Sequence, residues 1–238
     1  MRPALILVHG ALGSGRQLAP LADALGAELQ TSVAIVELPG HGQTRATDDE
    51  FRMEAFAASA AAVATAIREP GAPAPVVFGY SMGGYAALVT EANAPGTFSG
   101  IVTYGTMFDW TPAVAVAAAA RLDPAMMTAK VPAFAEQLRE RHAEAGGWEQ
   151  MLARTASLLR TLGDAPPLTA DQLARLACPV QLLVGERDDT VSWEQTARIA
   201  GLVPRGTAIL VPGAPHPIEK VPVSALSRAL TAVQPAAG

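Results

Sequence analysis

Six short apolar runs alternate along this chain with longer segments of helical pattern, and no other property of the sequence restricts the fold as strongly. Such runs, bounded by Gly or Pro, are typical of strands buried on both faces of a sheet. The predicted strands are residues 4–8, 33–38, 75–80, 99–104, 179–184 and 208–211. Because helical segments separate most of them, we expect βαβ units and an α/β fold with a parallel sheet of roughly six strands flanked by helices.

The alternation breaks between the fourth and fifth predicted strands, where several helical segments follow one another. Capping residues before proline, or helical periodicity, predict helices here from Pro112, from Pro124, over 132–145 and over 148–162. Beyond this region, Thr169 and Ser192 each precede a Gln by three residues, which predicts capping boxes, and a last helix is expected over 218–233. We expect a core of residues 1–105 and 173–238 with a helical insertion at 106–172.

The composition excludes several classes of protein. Half of the 238 residues are hydrophobic, enough for a full core, and the net charge of −5 comes without a basic block, so we expect no nucleic-acid partner. Mean hydropathy is positive at +0.25, but the most apolar windows are Ala-rich and shorter than the roughly 20 residues of a membrane span. The N-terminus lacks the features of a signal peptide. We therefore expect a soluble cytoplasmic protein with no membrane partner and a small-molecule substrate.

The cysteine and histidine content argues against a metal centre. A single cysteine, Cys178, excludes a disulfide framework and a Cys-rich metal site, and the four histidines have no ligand spacing. We expect neither a metal nor a cofactor. The sequence does not indicate an oligomeric state.

The segment Gly79-Tyr80-Ser81-Met82-Gly83 fits the pattern G-x-S-x-G and lies between a predicted strand and a predicted helix. A sharp turn there would strain the backbone of Ser81 and project its hydroxyl above the carboxyl edge of the sheet, while the two glycines avoid steric clash. The N–H of Met82 starts the helix, where the dipole favours negative charge. We predict Ser81 as a nucleophile and Met82 as an oxyanion donor.

A serine nucleophile needs a base, and the chain offers four histidines. His142 lies on a polar helical segment, where we expect it to be solvated. His9 and His41 follow strand ends in glycine turns, where structural hydrogen bonding is the expected role. His216 lies in a loop after the last strand, from which it can reach Ser81, and it is the predicted base.

The base in turn needs a carboxylate that fixes its tautomer. Asp188 follows the fifth predicted strand and precedes His216 by enough residues for one helix and one strand. We predict Asp188 as the acid. Glu186 and Asp189 are its acidic neighbours, and Asp109, just past the fourth strand, is the alternative acid.

These motifs together resemble the α/β-hydrolase superfamily, whose nucleophile, acid and histidine follow in this chain order. The resemblance covers nearly the whole chain outside residues 106–172 and includes His9-Gly10 and the turn Leu38-Pro39-Gly40-His41-Gly42. It implies a second oxyanion donor, the N–H of Ala11. It also implies an α/β-hydrolase fold with a reduced sheet, since family sheets usually begin with two further strands, and a helical cap at residues 106–172.

The chemistry implied is acyl transfer, in which Ser81 attacks a carbonyl while His216 takes the hydroxyl proton, and water then releases the acid. Because Ser rather than Asp stands at position 81, the resemblance disfavours the dehalogenases and epoxide hydrolases of this fold, which need a carboxylate nucleophile. Apolar residues expected to line the pocket are Met107, Phe108, Trp110 and Trp148. We expect a small, mostly apolar carboxylic ester or thioester as substrate.

Two other functions stay open from the sequence. One is a lyase or C–C bond hydrolase with the same triad, which for an acidic substrate would need arginines such as Arg121, Arg154 and Arg160. The other is a ligand-binding receptor with a slow triad, because a fold alone does not determine function.

Overall fold

The computed structural model describes residues 3–234 and contains one sheet of six parallel strands, which confirms the predicted α/β class. The strands are β1 (Leu5–Val8), β2 (Val33–Val36), β3 (Val76–Tyr80), β4 (Gly100–Tyr104), β5 (Val180–Arg187) and β6 (Gly206–Pro215). Their order in the sheet is β2-β1-β3-β4-β5-β6, and every neighbouring pair is parallel. All loops that leave the carboxyl ends of the strands therefore meet along one edge of the sheet.

Ten α-helices connect and cover the strands within the described part of the chain. They are α1 (Gly15–Leu29), α2 (Met53–Ile67), α3 (Met82–Asn93), α4 (Pro112–Ala119), α5 (Pro124–Lys130), α6 (Pro132–Arg141), α7 (Trp148–Asp164), α8 (Ala170–Ala174), α9 (Trp193–Ala200) and α10 (Val223–Ala232). Among residues 3–234, no helix is both long enough and apolar enough to cross a membrane.

Two predicted helices differ from the observed ones. The helix expected over 218–233 is a 3₁₀ turn at Ile218–Lys220 followed by α10. Pro222 separates them, because proline disfavours helical backbone at the residue before it. The helix expected to reach Ala145 ends at Arg141, and His142 leaves the helical conformation with its ring buried against two loops.

Side chains alternate between the two faces of the sheet and form two apolar clusters. In β1, Ile6 and Val8 belong to one cluster, whereas Leu5 and Leu7 belong to the other. Helices α1 and α10 cover the face of Leu5 and Leu7, and α2, α3, α8 and α9 contribute to the opposite cluster. Burial on both faces explains why the strands appear in the sequence as continuous apolar runs rather than as alternating patterns.

Helices α4 to α7 lie between β4 and β5 in the chain, where the insertion was expected. The side chains of Thr111 and Asp123 accept hydrogen bonds from backbone N–H groups of α4 and α5, as the capping residues predicted. Helix α4 packs against α7 and α5 against α6. The apolar stripe of α7, from Trp148 to Leu162, is buried in the cluster that also contains α2 and α3.

Candidate active site

Ser81 lies at the sharp turn between β3 and α3, with φ 51° and ψ −117°. Positive φ is uncommon for a residue with a side chain and marks a strained backbone. The glycines of the motif make this turn possible: a Cβ at Gly79 would lie 2.4 Å from the Cα of Gly84, and one at Gly83 would lie 2.3 Å from the carbonyl oxygen of Val8. The local sequence thus holds Ser81 at the carboxyl edge of the sheet.

Hydrogen bonds from β4 and the residues after it fix the backbone of Ser81. Its N–H donates to the carbonyl of Tyr104 at 2.8 Å, and its own carbonyl accepts from the hydroxyl of Thr106 at 3.0 Å. Within residues 3–234 the Oγ of Ser81 has no hydrogen-bond partner, and the residue is half-buried. Its hydroxyl is therefore available to a bound molecule while its backbone is held.

Asp188 and His216 form a hydrogen-bonded pair at the same edge. Nδ1 of His216 lies 2.8 Å from Oδ2 of Asp188, whose side chain is completely buried. The other carboxylate oxygen accepts the N–H groups of Thr190 and Val191 at 2.9 Å each. Burial alone would raise the pKa of Asp188, but the hydrogen bonds from His216 and these two N–H groups outweigh it and hold that pKa below its ordinary value. The carboxylate is therefore ionised at neutral pH.

The pairing with Asp188 assigns the tautomer of His216. Since the ionised carboxylate accepts a hydrogen bond from Nδ1, the neutral ring carries its hydrogen there and leaves the lone pair on Nε2. No described residue hydrogen-bonds to Nε2, and 17% of the side chain is exposed. The ring centroid lies 5.5 Å from that of Tyr80, the residue before Ser81. His216 therefore presents a nitrogen without a partner among the described residues at the sheet edge that carries Ser81.

The backbone that carries His216 is supported from β4. The hydroxyl of Tyr104 donates to the carbonyl of Pro215 at 2.6 Å, and a Cβ at Gly105 would lie 2.9 Å from Cε1 of His216. Burial raises the pKa of Tyr104, so its hydroxyl stays protonated and keeps donating. The end of β4 thus contacts both the serine turn and the histidine loop.

The other acidic candidates have different partners. Glu186 accepts the N–H of Gly213 at 2.7 Å, and Asp189 accepts the hydroxyl of Thr190 at 3.3 Å. Asp109, the alternative acid, is half-exposed and pairs with Arg198. Of these carboxylates, Asp188 is the one that hydrogen-bonds to His216 among the described residues.

The remaining histidines form a buried group away from Asp188. The ring of His9 accepts the N–H of Leu38 at Nε2, and its Nδ1 lies 2.9 Å from the carbonyl of Gly10. His41 packs between aromatic rings, 5.0 Å from the ring of His9. Within residues 3–234, no group of three or more His, Cys, Asp or Glu side chains is arranged to hold a metal ion. The ring of His9 thus joins the turn after β1 to the loop after β2, and the ring of His41 packs against Phe51 and Phe56.

The expectation that His142 is solvated was wrong. The side chain is completely buried, its Nδ1 accepts the N–H of Gly42 at 3.0 Å, and its Nε2 lies 3.1 Å from the carbonyl of Leu12. The sequence contained a signal for this, because His142 continues the spacing of the buried residues Ala135 and Leu138 on α6. The polar residues next to it in the sequence suggested a solvent-exposed face instead.

The two expected oxyanion donors lie in turns next to Ser81. Ala11 belongs to a turn closed by the N–H of Gly13 and the carbonyl of Gly10, and a Cβ at Gly10 would lie 3.1 Å from the Cβ of Ser81. Met82 is the first residue of α3, where backbone N–H groups have no intrahelical acceptor. Neither N–H donates to any residue that the structure describes. Both are thus free to bind an oxyanion.

The four expected lining residues divide into two groups. Met107, Phe108 and Trp110 are half-buried and follow Thr106 directly, and the N–H of Phe108 donates to the side chain of Gln195 at 2.8 Å. Trp148 is only 3% exposed, packs in the core cluster and has the guanidinium of Arg139 above its ring. Trp148 is therefore a core residue rather than the wall of an open pocket.

A cavity of about 320 Å³ lies between α6, the start of α1 and the loop after β2. Its lining is mainly polar and charged and includes Ser14, Arg16, Gln17, Glu37, Gly42, Gln43, Gln137, Glu140, Arg141 and Glu144. Ser81 and His216 are not part of its wall. Sequence reasoning missed Arg141, whose side chain donates to the carbonyl of Leu12 in the turn beside Ser81.

Comparisons with solved structures show the same fold. NosK from Streptomyces actuosus has a TM-score of 0.80 at 24% identity over 98% of this chain and 97% of its own. E-2-(acetamidomethylene)succinate hydrolase has a TM-score of 0.74 at 19% identity, covering 97% and 91%. A thermophilic esterase from Thermogutta terrifontis, solved with malate bound, has a TM-score of 0.69 at 21% identity, covering 97% and 88%. No curated protein matches the chain by sequence.

The family of the chain is assigned from its match to a family model, because solved structures of such low sequence identity show only the fold. The model described as "Alpha/beta hydrolase family" matches residues 5–229, which is nearly the whole described chain. The six parallel strands and the order of Ser81, Asp188 and His216 along the carboxyl edge agree with that match. This chain belongs to the alpha/beta hydrolase family of enzymes.

Proposed function

We propose that the protein is a serine hydrolase that cleaves a small, mostly apolar carboxylic ester or thioester through an acyl-enzyme. The observation that carries the proposal is the 2.8 Å hydrogen bond between His216 and Asp188, which leaves Nε2 of His216 free at the sheet edge that presents Ser81. The family assignment and an esterase among the structural neighbours support the same chemistry.

In the proposed reaction His216 accepts a proton twice and donates it twice. The Oγ of Ser81 bonds to the substrate carbonyl carbon as its proton passes to Nε2, and the carbonyl oxygen becomes an oxyanion. The tetrahedral intermediate collapses, and the leaving alkoxide or thiolate takes the proton from Nε2. Water then attacks the acyl-serine, gives its proton to Nε2 and releases the acid as that proton returns to Oγ.

The N–H groups of Ala11 and Met82 are the proposed oxyanion donors. Both lie beside Ser81 and neither has an acceptor among residues 3–234. Two fixed donors of this type stabilise the charge that develops on the oxygen, and the loss of one typically costs about 10²–10³ in kcat.

Residues 106–172 are the proposed cap. They lie between β4 and β5, and their helix α6 reaches the turn that carries Ala11. Met107, Phe108 and Trp110 are the proposed apolar contacts, since they follow Thr106, whose hydroxyl binds the carbonyl of Ser81.

No observation favours the two alternatives over hydrolysis. Arg121 and Arg160 are exposed, and Arg154 pairs with Asp48 at 2.7 Å, so the arginines considered for an acidic lyase substrate have other environments. A slow receptor has no need of a buried acid with a lowered pKa beside a free histidine nitrogen.

Hydrolysis of p-nitrophenyl acetate and butyrate by the wild type and by Ser81→Ala tests the proposal. We expect turnover by the wild type and loss of at least about 10⁴-fold in the variant, because the nucleophile is gone. Wild-type protein without turnover of these or of short acyl thioesters would contradict it, as would equal rates for the two proteins.

A further inference from the structure

The turn that carries Ala11 contains an unusual backbone conformation. Residues Gly10 to Gly13 form a turn closed by a hydrogen bond from the N–H of Gly13 to the carbonyl of Gly10 at 3.1 Å. Its third residue, Leu12, has φ 61°. That position of such a turn is ordinarily occupied by Gly or Asn, because a Cβ is strained at positive φ. The turn beside Ser81 therefore needs support from elsewhere in the molecule.

Two neighbouring side chains from the end of α6 provide contacts at this residue. Nη1 of Arg141 donates to the carbonyl oxygen of Leu12 at 2.7 Å, and Nε2 of His142 lies 3.1 Å from the same oxygen. These contacts join segments about 130 residues apart in the chain. One carbonyl thus has two side-chain donors.

The second nitrogen of His142 determines which way its hydrogen bonds run. The N–H of Gly42 donates to Nδ1 at 3.0 Å, so the hydrogen of the neutral ring is on Nε2 and is donated to Leu12. Burial is the main cause that lowers the pKa of this ring to about 4, so the ring is neutral at pH 7. Both nitrogens are satisfied in a side chain with no exposed surface.

We propose that Arg141 and His142 are positioning residues for the oxyanion hole: by holding the carbonyl of Leu12 they set the orientation of the neighbouring N–H of Ala11. This inference rests on the proposed function. Because the two residues lie at the end of α6, the same contacts make the arrangement of the oxyanion hole depend on how residues 106–172 dock on the core.

Matched substitutions at His142 separate this role from simple packing. In His142→Gln the amide nitrogen can take the place of Nε2 and still donate to Leu12, whereas in His142→Asn the side chain reaches Gly42 but not Leu12. The readout is kcat for p-nitrophenyl acetate, expressed per active site titrated with a fluorophosphonate. We expect this kcat to fall about tenfold in His142→Asn and less than threefold in His142→Gln. Both losses are smaller than that expected when an oxyanion donor is removed altogether. KM should change less than twofold in both.

A second pair of variants can be made at Arg141, where substitution should disturb folding less because the residue is only half-buried. We expect Arg141→Met to lower kcat several-fold and Arg141→Lys to retain most of it. Arg139→Met is the control, because Arg139 lies on the same helix but contacts Glu136 and Trp148 instead. Its kcat should equal that of the wild type.

A second readout does not depend on turnover. Amide hydrogen exchange in a peptide covering residues 9–14 should be faster in His142→Asn and Arg141→Met than in the wild type, His142→Gln and Arg139→Met. Equal losses of kcat in both His142 variants, losses that follow the melting temperature or KM, or unchanged exchange would overturn the inference. If Ser81→Ala is as active as the wild type, the proposed function fails, and the exchange measurement still decides whether the two side chains order the turn.

Discussion

Two histidines at the carboxyl edge of the sheet each lie beside a carboxylate, but with opposite environments. In the pair of His216 and Asp188 the carboxylate is completely buried and the histidine is partly exposed. In the pair of His9 and Glu37, with Nε2 and Oε1 3.2 Å apart, the histidine is completely buried and the carboxylate is partly exposed. Both pairs follow strand ends, so their position in the sheet does not distinguish them.

The difference lies in the second ring nitrogen. In His9 both nitrogens have backbone partners, Gly10 and Leu38, so the ring links the first turn to the loop after β2. In His216 only Nδ1 has a partner among the described residues. A base needs a free lone pair facing the reacting atoms, and a structural histidine has none to offer. If that distinction governs activity, substitutions in the two pairs should have unequal effects.

The largest effect is expected from substituting the two histidines with glutamine. We expect His216→Gln to lower kcat by at least about 10⁴-fold with little change in melting temperature, because it removes the proposed base. His9→Gln should lower the melting temperature and change kcat per titrated site less than about tenfold. Ester kinetics and thermal unfolding of both variants measure this. Similar losses of kcat in the two would remove the distinction between the pairs.

The carboxylates provide the next test. In Asp188→Asn the amide donates to Nδ1 and shifts the ring hydrogen to Nε2, so we expect kcat to fall by about 10³–10⁴-fold. Glu37→Gln should stay within about tenfold of the wild type, since among residues 3–234 Glu37 accepts the N–H of Gly15 and lies beside Nε2 of His9 rather than beside His216. Asp109→Asn serves as a control for the alternative acid, and a large loss there instead of in Asp188→Asn would transfer the role of the acid.

Acidification should lower the free energy of unfolding, because the buried histidines resist protonation in the folded state. The pKa of His142 is lowered by burial from 6.5 to about 4, and that of His41 is lowered as well. A histidine with a lower pKa in the folded state binds fewer protons there. Its contribution to stability is therefore complete above pH 6.5 and is lost as the pH falls towards 4, up to roughly 3 kcal/mol for His142.

Urea unfolding between pH 7 and 4.5 measures this loss. Because Arg141, His9 and Glu37 also act on the ring, the comparison is made with His142→Gln. The variant should be less stable at pH 7 but lose less stability than the wild type on acidification. Parallel curves would show that folding does not lower the pKa of His142.

The smallest effect is expected from the support of the histidine loop. Tyr104→Phe removes the hydroxyl that donates to Pro215, the residue before His216, and should lower kcat by about three- to tenfold and stability by about 1 kcal/mol. Tyr85→Phe is the matched control, because its buried hydroxyl lies near the backbone of Leu168 instead. Equal kcat in the two variants would show that the loop does not need Tyr104.

The parts of the molecule that depend on local sequence were predictable. The strands could be located because residues buried on both faces form continuous apolar runs, and the Ser81 turn because glycines flank it within two positions. The capping box of Thr169 is present as predicted, because it depends only on residues three positions apart in the chain. At Ser192 only the serine caps the helix, since the side chain of Gln195 accepts the N–H of Phe108, a residue 87 positions away.

The parts that depend on distant segments were not predictable. Nothing near Arg141 or His142 in the chain indicates the carbonyl of Leu12 about 130 positions earlier, and a polar helix suggested solvent instead. Trp148 has the periodicity of a core residue and of a pocket residue alike, and only its packing distinguishes them. The chain order predicted Asp188 as the partner of His216, whereas the 2.8 Å contact itself and the different partners of Glu186 and Asp189 depend on the fold.

Covalent labelling tests the claim that Ser81 is a nucleophile activated by the pair of His216 and Asp188. The wild type, His216→Gln and His9→Gln are incubated with a fluorophosphonate, and the modified peptide is identified by mass spectrometry. We expect stoichiometric modification of Ser81 in the wild type, a rate lower by about 10³-fold or more in His216→Gln, and a rate within about tenfold of the wild type in His9→Gln. An unmodified Ser81 in the wild type, or equal labelling rates in the wild type and His216→Gln, would contradict the claim.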